Sequence, residues 1–129
     1  MAGPKGSKYY DIFLKHQVEL VCGGKTIIDE EAFRLFEAVE SGNSIVEAAR
    51  ILDISYRKAW GIIREVEKDL GFSLFAKQRG GRAGGRTTFT PEGAELIKAY
   101  RKLLAGLESS DREIIRTFFR SLNHINGEK

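Results

Sequence analysis

The residues with most chemical capacity in this chain are arginines, lysines and glycines gathered between Arg50 and Lys102. Ser55, Tyr56, Arg57, Lys58, Gly61 and Arg64 lie close together, and a second cluster reads Gln78-Arg79-Gly80-Gly81-Arg82-Ala83-Gly84-Gly85-Arg86. Guanidinium and ammonium groups grouped in this way take phosphate oxygens, and an arginine can hold a guanine through two parallel hydrogen bonds. Arg50 to Lys102 carries twelve Lys and Arg against six Asp and Glu, whereas the rest of the chain carries nine against twelve. The formal net charge of +3 therefore conceals a basic centre between mildly acidic ends. Binding to a polyanion is the first implication.

Catalytic chemistry has no comparable support. Cys22 is the only cysteine, His16 and His124 are the only histidines, and no nucleophile stands beside a base in a recognisable spacing. The same scarcity leaves no metal-ligand set and no internal disulfide, which fits a cytoplasmic protein. The glycine-rich loop lacks the GxxxxGK[ST] pattern and does not lead from a buried strand into a helix, so a nucleotide cradle is not indicated. Neither a cofactor nor an enzymatic activity is expected. No apolar run resembles a signal peptide or is long enough to cross a bilayer, so a membrane is not an expected partner.

The elements that must position the basic residues follow from periodicity. Ile12 to Cys22 alternates apolar and polar side chains as a strand, Gly23-Gly24 reads as a hairpin turn, and Thr26 to Ile28 as the returning strand. Asp29 can cap a first helix with Phe33, Phe36 and Val39 on its buried stripe, closed by Gly42. Ser44 with Glu47 makes a capping box for a short second helix ending near Leu52. Ser55 caps a third, running to Leu70 and stopped by Gly71. Only Asp53 and Ile54 separate the two helices, so they turn sharply against each other as in a helix-turn-helix. Ala48 and Ala49 permit close approach, while Leu52, Ile54, Ala59, Ile62 and Ile63 lock the pair. That packing turns Tyr56, Arg57, Lys58, Gly61 and Arg64 outward, where the first residues of such a helix reach base edges in the major groove. Short strands at Leu74-Phe75 and Thr87 to Phe89 enclose the arginine and glycine loop as a wing that holds phosphate or enters the minor groove. Thr90 and Pro91 start a last helix, whose apolar stripe resumes at Ile114, Ile115, Phe118, Phe119 and Leu122 after a polar gap. Ser110 with Glu113 forms a further capping box at which that helix can break.

Three stretches carry a family resemblance: Ile54-Ser55-Tyr56-Arg57-Lys58-Ala59-Trp60, the double-glycine segment Gly80 to Gly85, and Phe89-Thr90-Pro91-Glu92-Gly93. Together they resemble the N-terminal domain of ModE-type, molybdate-responsive transcriptional regulators. Asp69 to Phe75 is similar to the corresponding segment of LysR-type regulators. The resemblance spans about Thr26 to Leu104. It implies a winged helix that binds DNA as a homodimer joined through helices at its two ends. It also implies that Tyr56, Arg57, Lys58 and the wing arginines face DNA, and that Trp60 packs between the helix pair and the wing. Two departures stand out. Asp53 occupies a turn position where glycine is common, and the tail after Leu107 is too short for a molybdate-binding domain, so the ligand does not carry over.

The expected fold class is mainly α with small β-hairpins, a winged helix-turn-helix with a C-terminal dimerisation helix. Residues 1–9 are expected as a flexible N-terminus, 10–107 as the winged domain and 108–129 as a helical extension. The expected function is a dimeric regulator specific for double-stranded DNA. Helix 55–70 would read the major groove, and wing 78–87 the backbone or minor groove. The DNA-binding residues would be Ser55, Tyr56, Arg57, Lys58, Gly61, Arg64, Arg79, Arg82 and Arg86. The alternative is a protein-interaction module that pairs with a separate sensor or effector-binding subunit.

Overall fold

The computed structural model describes residues 3–78 and 85–122. In chain order the elements are β1 (Leu20–Cys22), β2 (Lys25–Ile28), α1 (Glu30–Gly42), α2 (Ile45–Ile51), α3 (Tyr56–Leu70), β3 (Phe75–Gln78), β4 (Arg86–Phe89) and α4 (Pro91–Arg120). Val18–Ala99 forms one compact unit, and residues 3–17 with 100–122 belong to another.

In the first unit each helix begins where a side chain supplies the acceptor that the first turn lacks. Asp29 accepts from the Ala32 amide, Ser44 from Glu47 and Ser55 from Lys58. Half of the expected capping box at α2 forms; the Glu47 carboxylate turns instead to Arg50, and that pairing holds its carboxyl below the usual carboxylate range. At the end of α1 the left-handed residue is Asn43 (φ 54°), whose amide reaches the Val39 carbonyl, so Gly42 stays helical and the cap falls one residue later than expected. Asp53 does adopt the left-handed conformation at the turn between α2 and α3 (φ 57°), a backbone that Asp tolerates better than most residues. Gly71 closes α3 in the same region (φ 84°).

Leu35, Phe36, Val39, Ala48, Ala59, Ile63 and Leu74 are buried to within a few per cent and form the core that fixes the helix pair. The zero exposure of Ala48 and Ala59 shows the close approach that small residues allow at the α2–α3 corner. The strand expected over Ile12 to Cys22 is shorter. Only Leu20–Cys22 pairs, because β2 has four residues before Asp29 begins α1 and offers no partner further back. Gly23 and Gly24 make the turn with φ of 58° and 82°.

The β3–β4 hairpin pairs Phe75 with Phe89 and Gln78 with Arg86, so the arginine and glycine loop springs from the Gln78–Arg86 rung. The Phe75 and Phe89 rings stack at 4.6 Å. Two bonds anchor the hairpin to the helices: the Thr87 amide donates to the Asn43 carbonyl at 2.9 Å, and the Leu74 amide to the Glu67 carboxylate at 2.8 Å.

Helix α4 runs unbroken through Ser110. Tyr100, Leu104, Leu107, Asp111, Ile115 and Phe119 recur every three or four residues on one face, and Asp111 pairs with His16 at 3.2 Å. The polar gap in the sequence is thus a polar contact inside a continuous stripe, and Glu113 pairs with Arg116 rather than capping. In the second unit residues 3–12 form successive turns, with Gly3 bonded to the Ile12 carbonyl and the Tyr9 ring 5.8 Å from that of Phe119. No helix among the described residues is long and apolar enough to cross a membrane.

Candidate nucleic-acid interface

Helix α3 has two faces of opposite chemistry. Ala59, Ile63 and Val66 point into the core. At about 100° per residue, Arg57, Gly61, Arg64 and Lys68 fall on the opposite side within about 60° of one another. All four are exposed, and none of the three cations has a carboxylate partner among the described residues. Three cations without a carboxylate partner among the described residues thus share one stripe that begins in the first turn of the helix after the sharp corner, a chemistry that suits phosphate oxygens. Lys68 is absent from the sequence-based set, although its position four residues after Arg64 on the same stripe was a readable signal.

Gly61 occupies the middle of that stripe. A Cβ built there meets nothing within 4 Å, so no internal packing demands a glycine. A glycine in a helix interior costs about 0.5–1 kcal/mol relative to alanine. Its side opens onto a shallow groove of about 460 Å³ bordered by Asp29, Glu31, Lys58, Ile62 and Glu65.

The remaining expected contacts separate into several groups. Ser55 is exposed, and its hydroxyl accepts the Lys58 amide at 2.9 Å as the cap. Lys58 itself is engaged with Glu31 of α1 at 3.2 Å, so it stands beside the stripe as half of an ion pair. Tyr56 is exposed at the first position of α3. Trp60 is half-buried on the outer flank of α3 and pairs with Tyr56. Arg86 is exposed at the base of the loop, with Lys77 exposed on the facing strand. Arg79 and Arg82 lie outside the described residues.

The hairpin β1–β2 is tied to α3 by the Lys25 ammonium, 2.8 Å from Glu65 and 2.9 Å from Asp69. Those hydrogen bonds, Glu65 first, hold Lys25 protonated above the ordinary lysine range. The clasp removes two carboxylates from competition with the cationic stripe. Among the described residues no group of three His, Cys, Asp or Glu side chains could hold a metal ion.

The match to known proteins falls on these elements. Residues 31–94 fit the model of the bacterial regulatory helix-turn-helix proteins, lysR family, a span that begins in α1 and ends in the first turn of α4. The molybdenum transport protein ModE of Azotobacter vinelandii is 30% identical over 102 residues, covering 79% of this chain and 36% of that protein. The molybdenum-pterin-binding protein MopB of Rhodobacter capsulatus is 33% identical over 93 residues, 72% of this chain and 33% of that protein. The chain thus spans about a third of the length of these curated relatives. Among solved structures, the BenM_DBD/catB site 1 DNA complex superimposes with a TM-score of 0.55 at 28% identity, covering 73% of this chain and 96% of that one. The BenM_DBD/benA site 1 DNA complex gives 0.50 at 30% identity, covering 62% and 84%.

Proposed function

The chain belongs to the bacterial regulatory helix-turn-helix proteins of the lysR family, and on that premise we propose that it is a non-enzymatic, homodimeric transcriptional regulator specific for double-stranded DNA. The observation that carries the proposal is the outward stripe Arg57–Gly61–Arg64–Lys68 on the second helix of the corner. Helix α3 enters the major groove, where Arg57 reads a base edge and Arg64 and Lys68 hold the flanking backbone. The hairpin carries its loop to the adjacent phosphates or minor groove through Arg79, Arg82 and Arg86. ModE of Azotobacter vinelandii and the BenM_DBD–DNA complexes support this reading by likeness.

Affinity for a duplex of about 30 base pairs, titrated against salt, tests the proposal. Each phosphate neutralised contributes about −0.9 to the slope of log K against log salt, so a slope of about −4 or steeper is expected. A flat dependence would contradict a phosphate-binding stripe. Gly61→Ala refines the test. It should stabilise the fold by about 0.5–1 kcal/mol while weakening DNA binding several-fold, because the added methyl stands where the duplex approaches. Stabilisation with unchanged DNA affinity would show that nothing approaches Gly61.

Dimerisation is assigned to the second unit. Ile114 and Phe118 stand one turn apart on α4, 60% and 51% exposed, while their neighbours Ile115 and Phe119 are buried. Apolar side chains this exposed at helical spacing suit a partner surface, and a two-fold pair can read two half-sites. Phe118→Asp is expected to convert a sedimenting dimer to a monomer with its helix content intact. The same surface would serve a separate sensor subunit in the interaction-module reading; a protein that sediments as a monomer before any substitution would favour that reading.

A further inference from the structure

Tyr56 and Trp60 stand one turn apart at the start of α3, and the structure joins them. The Trp60 indole N–H donates to the Tyr56 hydroxyl. The rings meet edge to face, with centroids 6.3 Å apart and planes at 84°. Tyr56 is 46% exposed and Trp60 half-buried, so neither ring belongs to the core. An indole can only donate, whereas a phenol hydroxyl accepts and also has one proton to give. Trp60 therefore occupies the accepting side of the Tyr56 oxygen. That oxygen makes no other hydrogen bond among the described residues, so its proton, directed away from Trp60, has no acceptor among them. Ring pairing alone would stabilise the helix without use for the polar handle. Tyr56 is exposed and immediately precedes Arg57 in the first turn of α3, the part of a reading helix that reaches its ligand.

We propose that Trp60 is a positioning residue that fixes the Tyr56 phenol so that its proton is presented to an acceptor atom on duplex DNA. The proposal rests on the DNA-binding reading and goes beyond it by naming which proton is given and what aims it. Trp60 then lies on the DNA side of α3, flanking the cationic stripe.

Labelled duplexes titrated with the full chain as wild type, Tyr56→Phe, Trp60→Phe and the double variant provide the test. Both substitutions keep an aromatic ring and remove one end of the hydrogen bond. Tyr56→Phe should weaken binding about five- to tenfold, Trp60→Phe several-fold, and the double variant no more than Tyr56→Phe alone. In ¹H–¹⁵N spectra of the DNA-free protein, Tyr56→Phe should also move the single indole N–H resonance, which a purely steric role would leave in place. A loss confined to duplexes carrying one particular base assigns the acceptor to a base edge, and an equal loss on all sequences assigns it to phosphate; both uphold the donor role. Unchanged affinity of Tyr56→Phe beside a wild type that binds would overturn the proposal and leave the regulator reading standing. Losses that multiply in the double variant would overturn the positioning role of Trp60. A wild type that binds no duplex would overturn both readings together.

Discussion

Replacing Arg57 by alanine should lower affinity for the preferred duplex by about 10- to 100-fold, while binding to random sequence falls only a few-fold. This magnitude follows from the worth of one bidentate arginine–base contact, about 1–3 kcal/mol of discrimination. Arg57 is exposed in the first turn of α3 with no carboxylate to neutralise it among the described residues, so its fork is free to pair with a base. Arg57→Lys separates the two roles of the side chain. It keeps the charge that holds a phosphate but loses the planar fork, and is expected to retain affinity for random DNA while losing selectivity. Arg64→Ala provides the contrast: a backbone contact weakens all sequences alike and makes the salt dependence shallower by about one. Parallel losses on every sequence for Arg57→Ala would place the reading contact elsewhere on α3.

The second large effect concerns the fold that carries the interface. Gly93→Ala should cost about 3 kcal/mol, read as a lower urea midpoint at unchanged m-value. Gly93 is buried in the first turn of α4, and a Cβ built there would lie 2.2 Å from the Leu74 carbonyl oxygen and 3.0 Å from the Phe89 ring. The carbonyl cannot readily yield. It accepts the Thr90 amide at 2.9 Å, and the Thr90 hydroxyl is held at 2.6 Å to the neighbouring Ser73 carbonyl while itself accepting the Gly93 amide. A methyl group must therefore push α4 away from the strand that founds the wing. For a domain of ordinary stability, about 5–15 kcal/mol, this is a large share. A shift below about 1 kcal/mol would mean that α4 rides over Leu74 more loosely than these distances state.

That cluster also explains why part of the architecture was legible in the sequence. Phe89-Thr90-Pro91-Glu92-Gly93 is a conspicuous string because its residues act locally. Phe89 stacks on Phe75, Thr90 caps, Pro91 starts the helix and Gly93 lets it descend onto Leu74. Caps at Asp29, Ser44 and Ser55 were equally readable, since a cap is set by side chains within three residues. What escaped depends on partners distant in the chain. The alternation from Ile12 to Cys22 fits a strand, but strand length is set by the partner, and β2 is too short to sustain it. The polar gap from Glu108 to Asp111 suggests a place for the helix to break; His16, far away in sequence, instead pairs with Asp111 within a continuous stripe. Left-handed closure at Asn43 in place of Gly42 reflects the carbonyl of that residue, which serves Thr87 of the hairpin.

The site divides in the same way. Helical periodicity from Ser55 was enough to bring Arg57, Gly61 and Arg64 to one face and would have added Lys68. Periodicity could not show that Lys58 is occupied by Glu31, because that bond joins α3 to α1. Nor could it place Trp60, whose hydrogen bond to Tyr56 depends on the rotamers of both side chains.

The most direct test of a dimeric, sequence-reading protein is to incubate it, purified, with sheared genomic DNA from its source at low and moderate salt and to sequence what it retains. A two-fold symmetric site should be enriched, with half-sites about one helical turn apart, lost as salt rises and blurred by Arg57→Ala. Failure to retain any DNA at low salt would contradict DNA binding by the α3 stripe.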